Sequence, residues 1–247
     1  MTLNRRTLLS TLILSAAFVS TSLPAAEPDG TSATKPAPRD ANWMKRHDGF
    51  VAQAKQGGVD LLFLGDSITD GWRGRGKAVW EKYWAPLKAA NFGIGGDRTQ
   101  HVLWRLDHGN LDGLKPKVAV VLIGVNNIPD DNNSPRQVLE GVTAVVNKLR
   151  EKLPETKVLL LGIFPFREDF CDQRAKALQV NQALHKLDDG QWIRFLDIGY
   201  RFIQPDGRIS KDMMRDFLHL SPTGYRLWAE AIEPELAVML GEKPIVP

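Results

Sequence analysis

One short segment restricts the fold of this 247-residue chain more than any other. Residues 118–124 read VAVVLIG, which is apolar throughout and rich in β-branched side chains. A strand with apolar side chains on both faces has to be covered on both faces, and this is typical of a parallel sheet between two layers of helices. The segment therefore favours an α/β protein.

Further apolar runs alternate with segments of helical periodicity. The strand candidates among them are residues 59–64, 89–93, 157–163 and 192–196. Strands that alternate with helices predict a doubly wound parallel sheet. We therefore expect a three-layer α/β/α fold with a central parallel sheet of about five strands.

The N-terminal residues predict export to the periplasm or the extracellular space. Within residues 1–26, Arg5 and Arg6 precede an apolar run and a stretch of small residues, which is the layout of a signal peptide. The paired arginines resemble a twin-arginine signal, and an uncleaved N-terminal anchor is the alternative. Residues 27–41 are rich in Pro, Ala and Thr and predict a disordered linker. Residues 42–247 then form one globular domain.

Charge, cysteine content and hydropathy argue against nucleic-acid binding, a disulfide and a membrane span. Removal of residues 1–26, which hold two arginines and no acidic residue, lowers the formal net charge from +3 to +1. A nearly neutral chain argues against nucleic acid as the main partner. Cys171 is the only cysteine, so an intrachain disulfide is impossible. No segment after the leader is apolar enough to predict a membrane span, and the oligomeric state stays open.

Polar or glycine residues follow the first three predicted strands. Ser67 comes after the first, Gly96 after the second and Asn126 after the third. Because the carboxyl ends of parallel strands share one edge of a sheet, we expect these residues to converge there. Ser67 taken alone fits a helix N-cap equally well.

A second polar pair near the C-terminus gives Ser67 a chemical role. Asp216 and His219 lie three residues apart, just before a helix that Ser221 and a following proline begin. This spacing lets the carboxylate reach the imidazole. A carboxylate that orients a histidine base is what a serine nucleophile requires.

Three donors for the oxyanion follow from the same placement. They are the backbone N–H groups of Ser67 and Gly96 and the side-chain amide of Asn126. The competing interpretation is a metal phosphoesterase with Asp66, Asn126 and His219 as ligands, but it leaves Ser67 without a role.

Four sequence blocks in this order resemble the SGNH, or GDSL-type, hydrolases. They are GDSI at 65–68, NFGIGGD at 91–97, GVNN at 124–127 and DFLH at 216–219. The resemblance covers residues 59–240. Residues 91–106 and 212–220 resemble in particular the catalytic α subunits of type I platelet-activating-factor acetylhydrolases.

The resemblance implies a flavodoxin-like fold and a serine esterase that needs no metal or cofactor and prefers short acyl groups. Asn127 stands where the family often has Asp, which leaves the substrate open. Candidate residues of the substrate pocket are Asp66, Ile68, Asn127 and Leu218. By position, Ile68 and Leu218 flank the nucleophile and the base, and large side chains there would favour acetyl.

The expected function is hydrolysis of short, acetyl-type O-esters of carbohydrates by an exported enzyme. A lipid esterase related to the acetylhydrolases or to lysophospholipases is the alternative within the same chemistry. Acyl transfer to a second alcohol is a further alternative, because an acyl-enzyme can react with an alcohol in place of water. A carbohydrate-binding protein without activity is the alternative of another class.

Overall fold

The computed structural model of the chain describes residues 33–129 and 133–242. The predicted signal peptide, residues 1–26, lies outside the described residues, as does the first part of the predicted linker.

Five strands form one sheet in which every neighbouring pair is parallel. They are β1 (Leu61–Gly65), β2 (Ala89–Gly93), β3 (Val118–Leu122), β4 (Lys157–Leu161) and β5 (Ile193–Leu196). Their order in the sheet is β2-β1-β3-β4-β5, which is the flavodoxin-like order. The predicted five-stranded parallel sheet is confirmed.

Seven α-helices surround the sheet within the described residues. They are α1 (Ala41–Gln56), α2 (Ser67–Asp70), α3 (Lys77–Tyr83), α4 (Thr99–Asp107), α5 (Pro135–Lys152), α6 (Asp172–Leu184) and α7 (Pro222–Leu240). Helices α4, α5 and α6 pack side by side, and α3 packs against α7, which gives the expected three layers. Across residues 33–129 and 133–242, no helix is long and apolar enough to cross a membrane.

Strand β3 lies at the centre of the sheet and is buried along its whole length. On one side it pairs with β1, so that Gly65 lies opposite Leu122. On the other side of β1, Gly65 lies opposite Gly93. The carboxyl ends of these three strands therefore finish level with one another, and the loops that follow them share one edge.

Residues 33–41 are not a disordered linker, and this part of the prediction is wrong. The carbonyl of Ala33, which is buried, accepts a hydrogen bond of 2.7 Å from Thr99 Oγ1. The N–H of Ala37 donates to the carbonyl of Gln100 at 3.2 Å, and Asp40 caps α1. Composition predicted disorder because it contains no information on contacts with residues more than sixty positions away in the chain.

A fully buried arginine joins the ends of β1 and β2. Arg105 Nη1 donates to the carbonyl of Phe92 at 2.9 Å, and Nη2 donates to the carbonyl of Gly65 at 3.4 Å. The same Nη2 lies 3.0 Å from the buried carboxylate of Asp97. A buried charge is tolerated only when it is paired and hydrogen-bonded. Arg105 therefore holds the edge of the sheet on which the polar residues lie.

Replacement of Arg105 tests this role. We expect Arg105→Met to lower the free energy of unfolding by about 3 kcal/mol, because removal of one partner of a buried pair leaves the other uncompensated. Urea unfolding followed by circular dichroism measures it. Arg226→Met, which breaks an exposed pair with Glu230 on α7, is the control and should cost about 0.5 kcal/mol or less. Equal losses in the two variants would contradict the role.

Candidate active site

Ser67 is the first residue of α2 and follows β1 after one intervening residue. That residue, Asp66, is the N-cap, and its Oδ1 accepts a 2.9 Å hydrogen bond from the N–H of Ile68. At the other side of the helix, the hydroxyl of Tyr225 donates to the carbonyl of Ile68 at 2.6 Å. The short helix is therefore fixed from two sides, and the Ser67 side chain lies at the edge of the sheet.

His219 lies on a tight loop before α7. An antiparallel bridge between Met214 and Leu220 closes the loop at its base. Within the loop, Asp216 Oδ1 accepts from the N–H groups of Leu218 at 3.2 Å and His219 at 2.8 Å. Asp is favoured in turns because its side chain can bond to the backbone two or three residues further on. The same carboxylate thus shapes the loop and faces the imidazole.

A continuous chain of hydrogen bonds connects the three predicted catalytic side chains. Asp216 Oδ2 lies 2.7 Å from His219 Nδ1, and His219 Nε2 lies 2.9 Å from Ser67 Oγ. Partial burial opposes ionisation of Asp216, but hydrogen bonds from the His219 side chain and backbone outweigh it and lower its pKa to about 2. Asp216 is therefore ionised throughout the neutral range and oriented to hold a proton on Nδ1.

The loop after β2 brings Gly96 to the same place. Gly96 has a φ of +76°, and a side-chain carbon on its neighbour Gly95 would lie 3.8 Å from Ser67 Cβ. Asn126 stands on a 3₁₀ turn after β3, and its Nδ2 donates to the carbonyl of Asp97 at 2.9 Å. An amide group has two hydrogens, so one holds Asn126 to this loop and the second stays available. The structure thus brings Gly96 and Asn126 together, as expected.

A small cavity adjoins the two carboxyl-edge loops that carry Asn126 and Asp216. Its volume is about 160 Å³. Leu218 lines it, together with Val125, Pro129, Phe166, Arg167 and Phe217. Of the four candidate pocket residues, Leu218 is the one that lines this cavity.

The other three candidate pocket residues do not line this cavity. Ile68 is 1% exposed and packs in the hydrophobic core. Asp66 and Asn127 are fully buried. Asn127 Oδ1 accepts from the N–H of Thr99 at 3.0 Å, and its Nδ2 donates to Asn133 Oδ1 at 2.9 Å. Asn127 thus connects the loops that follow β2 and β3, and Asp66 caps α2 through Oδ1.

Comparisons with known proteins identify the family of this chain. The sequence model of the GDSL-like Lipase/Acylhydrolase family matches residues 63–227. The chain belongs to this family. It is 38% identical over 206 residues to "Platelet-activating factor acetylhydrolase IB subunit alpha2" of Homo sapiens, which covers 83% of this chain and 88% of that protein. The alpha1 subunit of Homo sapiens is 37% identical over 216 residues, 85% of this chain and 91% of the relative.

Solved structures share the fold of this acylhydrolase. A GDSL-like lipase from Bacteroides thetaiotaomicron superposes with a TM-score of 0.63 at 17% identity, covering 78% of this chain and 97% of that one. A catalytic mutant of an acetylxylan esterase from Geobacillus stearothermophilus superposes with a TM-score of 0.56 at 17% identity, covering 76% and 96%. The family and its relatives make the chain a serine ester hydrolase.

No group of three or more His, Cys, Asp or Glu side chains suited to a metal ion occurs in the part of the acylhydrolase that the structure describes.

The sequence interpretation missed a cluster of charged side chains around Asp97, the residue that follows Gly96. Asp97 meets Arg39 and Arg105 and accepts a 2.6 Å hydrogen bond from Trp43 Nε1. The available signal was Arg105 itself, an arginine on the apolar face of α4, because a buried arginine requires a carboxylate.

The buried carboxyl of Asp66, beside Ser67 in the acylhydrolase, has an unusually high pKa. Burial raises the pKa of its carboxyl to about 7, the negative charge of Asp97 adds to this, and the Ile68 N–H opposes it. Oδ2 is buried and has no hydrogen-bond partner among the described residues. In the unfolded chain the pKa returns to near 3.8. The folded protein therefore holds this proton between about pH 4 and 7 while the unfolded chain releases it, so stability from this group falls as the pH rises.

Asp66→Asn tests the buried carboxyl. The amide keeps an oxygen that accepts from Ile68 but cannot ionise. Wild-type stability should fall relative to the variant by about 3 kcal/mol between pH 5 and pH 8, at 1.4 kcal/mol per pKa unit. Urea unfolding of both proteins at the two pH values measures this. Parallel pH profiles for the two proteins would show that Asp66 ionises normally in the fold.

Proposed function

We propose that this acylhydrolase cleaves short-chain O-esters with Ser67 as nucleophile, His219 as general base and Asp216 as the group that orients His219. The observation that carries the proposal is the unbroken hydrogen-bond chain from Asp216 through His219 to Ser67 Oγ, with distances of 2.7 and 2.9 Å. These separations lie within the range for proton transfer between a base and a nucleophile.

The reaction has two halves. His219 Nε2 takes the proton from Ser67 Oγ as this oxygen attacks the ester carbonyl carbon, and then gives the proton to the leaving alcohol. The acyl group stays on Ser67. In the second half, His219 takes a proton from water, the hydroxyl attacks the acyl carbon, and the proton returns to Ser67 Oγ as the carboxylic acid leaves. Asp216 stabilises the imidazolium in both halves.

Negative charge develops on the former carbonyl oxygen in each half. The donors proposed for it are the N–H groups of Ser67 and Gly96 and the free hydrogen of Asn126 Nδ2. Gly96 and Asn126 belong to loops that already contact one another through the Asp97 carbonyl. Donors that are fixed before the reaction stabilise the transition state without reorganisation.

The size of the cavity supports a short acyl group. Its volume of about 160 Å³ and the branched side chain of Leu218 in its wall suit acetyl or a slightly longer chain. Ile68 has no part in this restriction, because it lies in the core.

For the alcohol, our first proposal is a carbohydrate hydroxyl outside the cytoplasm. The signal-like residues 1–26 support export. The fold shared with an acetylxylan esterase supports a sugar ester. His219 and Asp216 are also open to solvent, so a bulky polar alcohol would have access. A second sugar could also take the acyl group from the acyl-enzyme in place of water. Product analysis with an added acceptor sugar would detect this transfer.

A lipid ester is the second candidate, and one feature favours it. A groove of about 820 Å³ lies beside the loop that contributes Phe166 and Arg167 to the small cavity. Its walls are mostly apolar, and among them Phe170, Leu178 and Tyr200 are largely exposed. An apolar groove of this volume is the kind of surface that an acyl or alkyl chain would contact, and the relatives are named for hydrolysis of platelet-activating factor. A carbohydrate-binding protein without activity would not need the hydrogen bond between Ser67 Oγ and His219.

Hydrolysis of p-nitrophenyl acetate, butyrate and octanoate by wild type and Ser67→Ala tests the mechanism. We expect wild type to prefer acetate, to be unaffected by a chelator, and to lose activity by more than about 10⁴-fold in the variant. Ser134→Ala, which removes a helix cap on α5, is the matched control with unchanged turnover. Equal rates for wild type and Ser67→Ala would refute the proposal. A preference for octanoate would favour the lipid ester.

Leu218→Ala tests the acyl limit separately. Removal of the branched side chain enlarges the cavity, so the ratio of butyrate to acetate kcat/KM should rise about tenfold, the effect of one or two methylene groups in an apolar pocket. Val238→Ala, at an exposed site on α7, should leave the ratio unchanged. An unaltered ratio in Leu218→Ala would exclude this residue from the acyl site.

A further inference from the structure

The peptide group between Gly95 and Gly96 has a charged partner on its far side. Arg39 Nη1 donates a 2.7 Å hydrogen bond to the carbonyl oxygen of Gly95. The N–H of that same peptide group belongs to Gly96 and is one of the proposed oxyanion donors. In a trans peptide the C=O and N–H bonds are coplanar and point in opposite directions. The guanidinium therefore fixes the direction in which the Gly96 N–H points.

Arg39 itself is held in place by a buried carboxylate. Its Nη1 lies 3.2 Å from Asp97 Oδ1, which also accepts from Trp43 Nε1 at 2.6 Å. The other oxygen of Asp97 lies 3.0 Å from Arg105 Nη2. Asp97 is fully buried, whereas the Arg39 side chain is 27% exposed. The carboxylate thus anchors a guanidinium that reaches the loop from residues 33–40, the segment in front of α1.

The space around Gly96 shows how closely the guanidinium approaches. A side-chain carbon on Gly96 would lie 3.2 Å from Arg39 Nη2 and 3.3 Å from Nη1. Glycine thus leaves the room that Arg39 occupies, and its φ of +76° is strained for other residues.

We propose that Arg39 is a positioning residue for ester hydrolysis, which acts through the Gly95–Gly96 peptide group and not on the substrate. The inference rests on the proposed function, in which the Gly96 N–H binds the oxyanion. A hydrogen bond from a cation to a carbonyl withdraws electron density from the whole peptide group, so its N–H becomes a stronger donor. Arg39 both aims and polarises this donor.

Kinetics of Arg39→Met and Arg39→Lys test the proposal. Met keeps the bulk of the stem but donates no hydrogen bond, so kcat for p-nitrophenyl acetate should fall about tenfold with KM nearly unchanged, a fraction of the loss seen when a donor is removed outright. Lys keeps the charge, but its shorter side chain and compact ammonium cannot place a donor where the planar guanidinium holds Nη1, and its kcat should be intermediate. The pH profile of kcat/KM should keep its shape, because the contacts of His219 and Asp216 are untouched.

A transition-state analogue distinguishes positioning from general damage. Ser67 Oγ adds to the carbonyl carbon of a trifluoromethyl ketone, its proton passes to His219 Nε2, and the former carbonyl oxygen stays as an alkoxide in the oxyanion site. Its inhibition constant in Arg39→Met should rise by the same factor by which kcat/KM falls. Arg226→Met, the exposed control on α7, should change neither quantity.

Two results would overturn the inference. One is wild-type kcat in Arg39→Met. The other is a loss that appears in KM, or that leaves the inhibition constant of the ketone unchanged. Failure of the proposed function itself would look different, because Ser67→Ala would then retain the wild-type rate whatever happens at Arg39.

Discussion

The site depends on one buried carboxylate, that of Asp97. It meets two guanidinium groups and an indole N–H, which come from two distant parts of the chain. Arg39 belongs to the segment before α1, Trp43 to α1 and Arg105 to α4. Because an unpaired charge in the interior is very costly, these partners have to assemble together or not at all. The loop that carries Gly96 is thereby tied to elements that take no part in the chemistry.

This arrangement separates the proposed catalytic groups into a fixed half and a half open to solvent. Ser67, Gly96 and Asn126 follow three adjacent strands that finish level, and buried hydrogen bonds stabilise the turns around them. His219 and Asp216 come from a loop near the C-terminus that is partly open to solvent. The loop keeps its shape through its own contacts, in which the Asp216 carboxylate also accepts hydrogen bonds from backbone N–H groups. The positions of Asp216 and His219 therefore depend on hydrogen bonds within their own loop.

The sequence predicted most of the fold because the signals were local. The strand at Ala89–Gly93 agrees residue for residue, and the helix after Ser221 begins at Pro222 as expected. The candidate pocket residues fared worse. Ile68 and Asn127 are next to Ser67 and Asn126 in the chain, yet Ile68 packs in the core and Asn127 holds two loops together. Adjacency in sequence does not decide the direction of a side chain in an irregular turn.

By itself, the sequence determined the order of strands and helices, the family, and the serine, histidine and aspartate that the proposal uses. These follow from apolar periodicity and from short motifs whose residues lie within one turn of each other. Only the tertiary structure decided what supports them. The contact of Arg39 with Gly95 and Asp97 spans more than fifty residues of chain, and a segment that looked like a linker became part of the domain. Long-range pairing of this kind depends on how the layers close around the sheet, which no local pattern records.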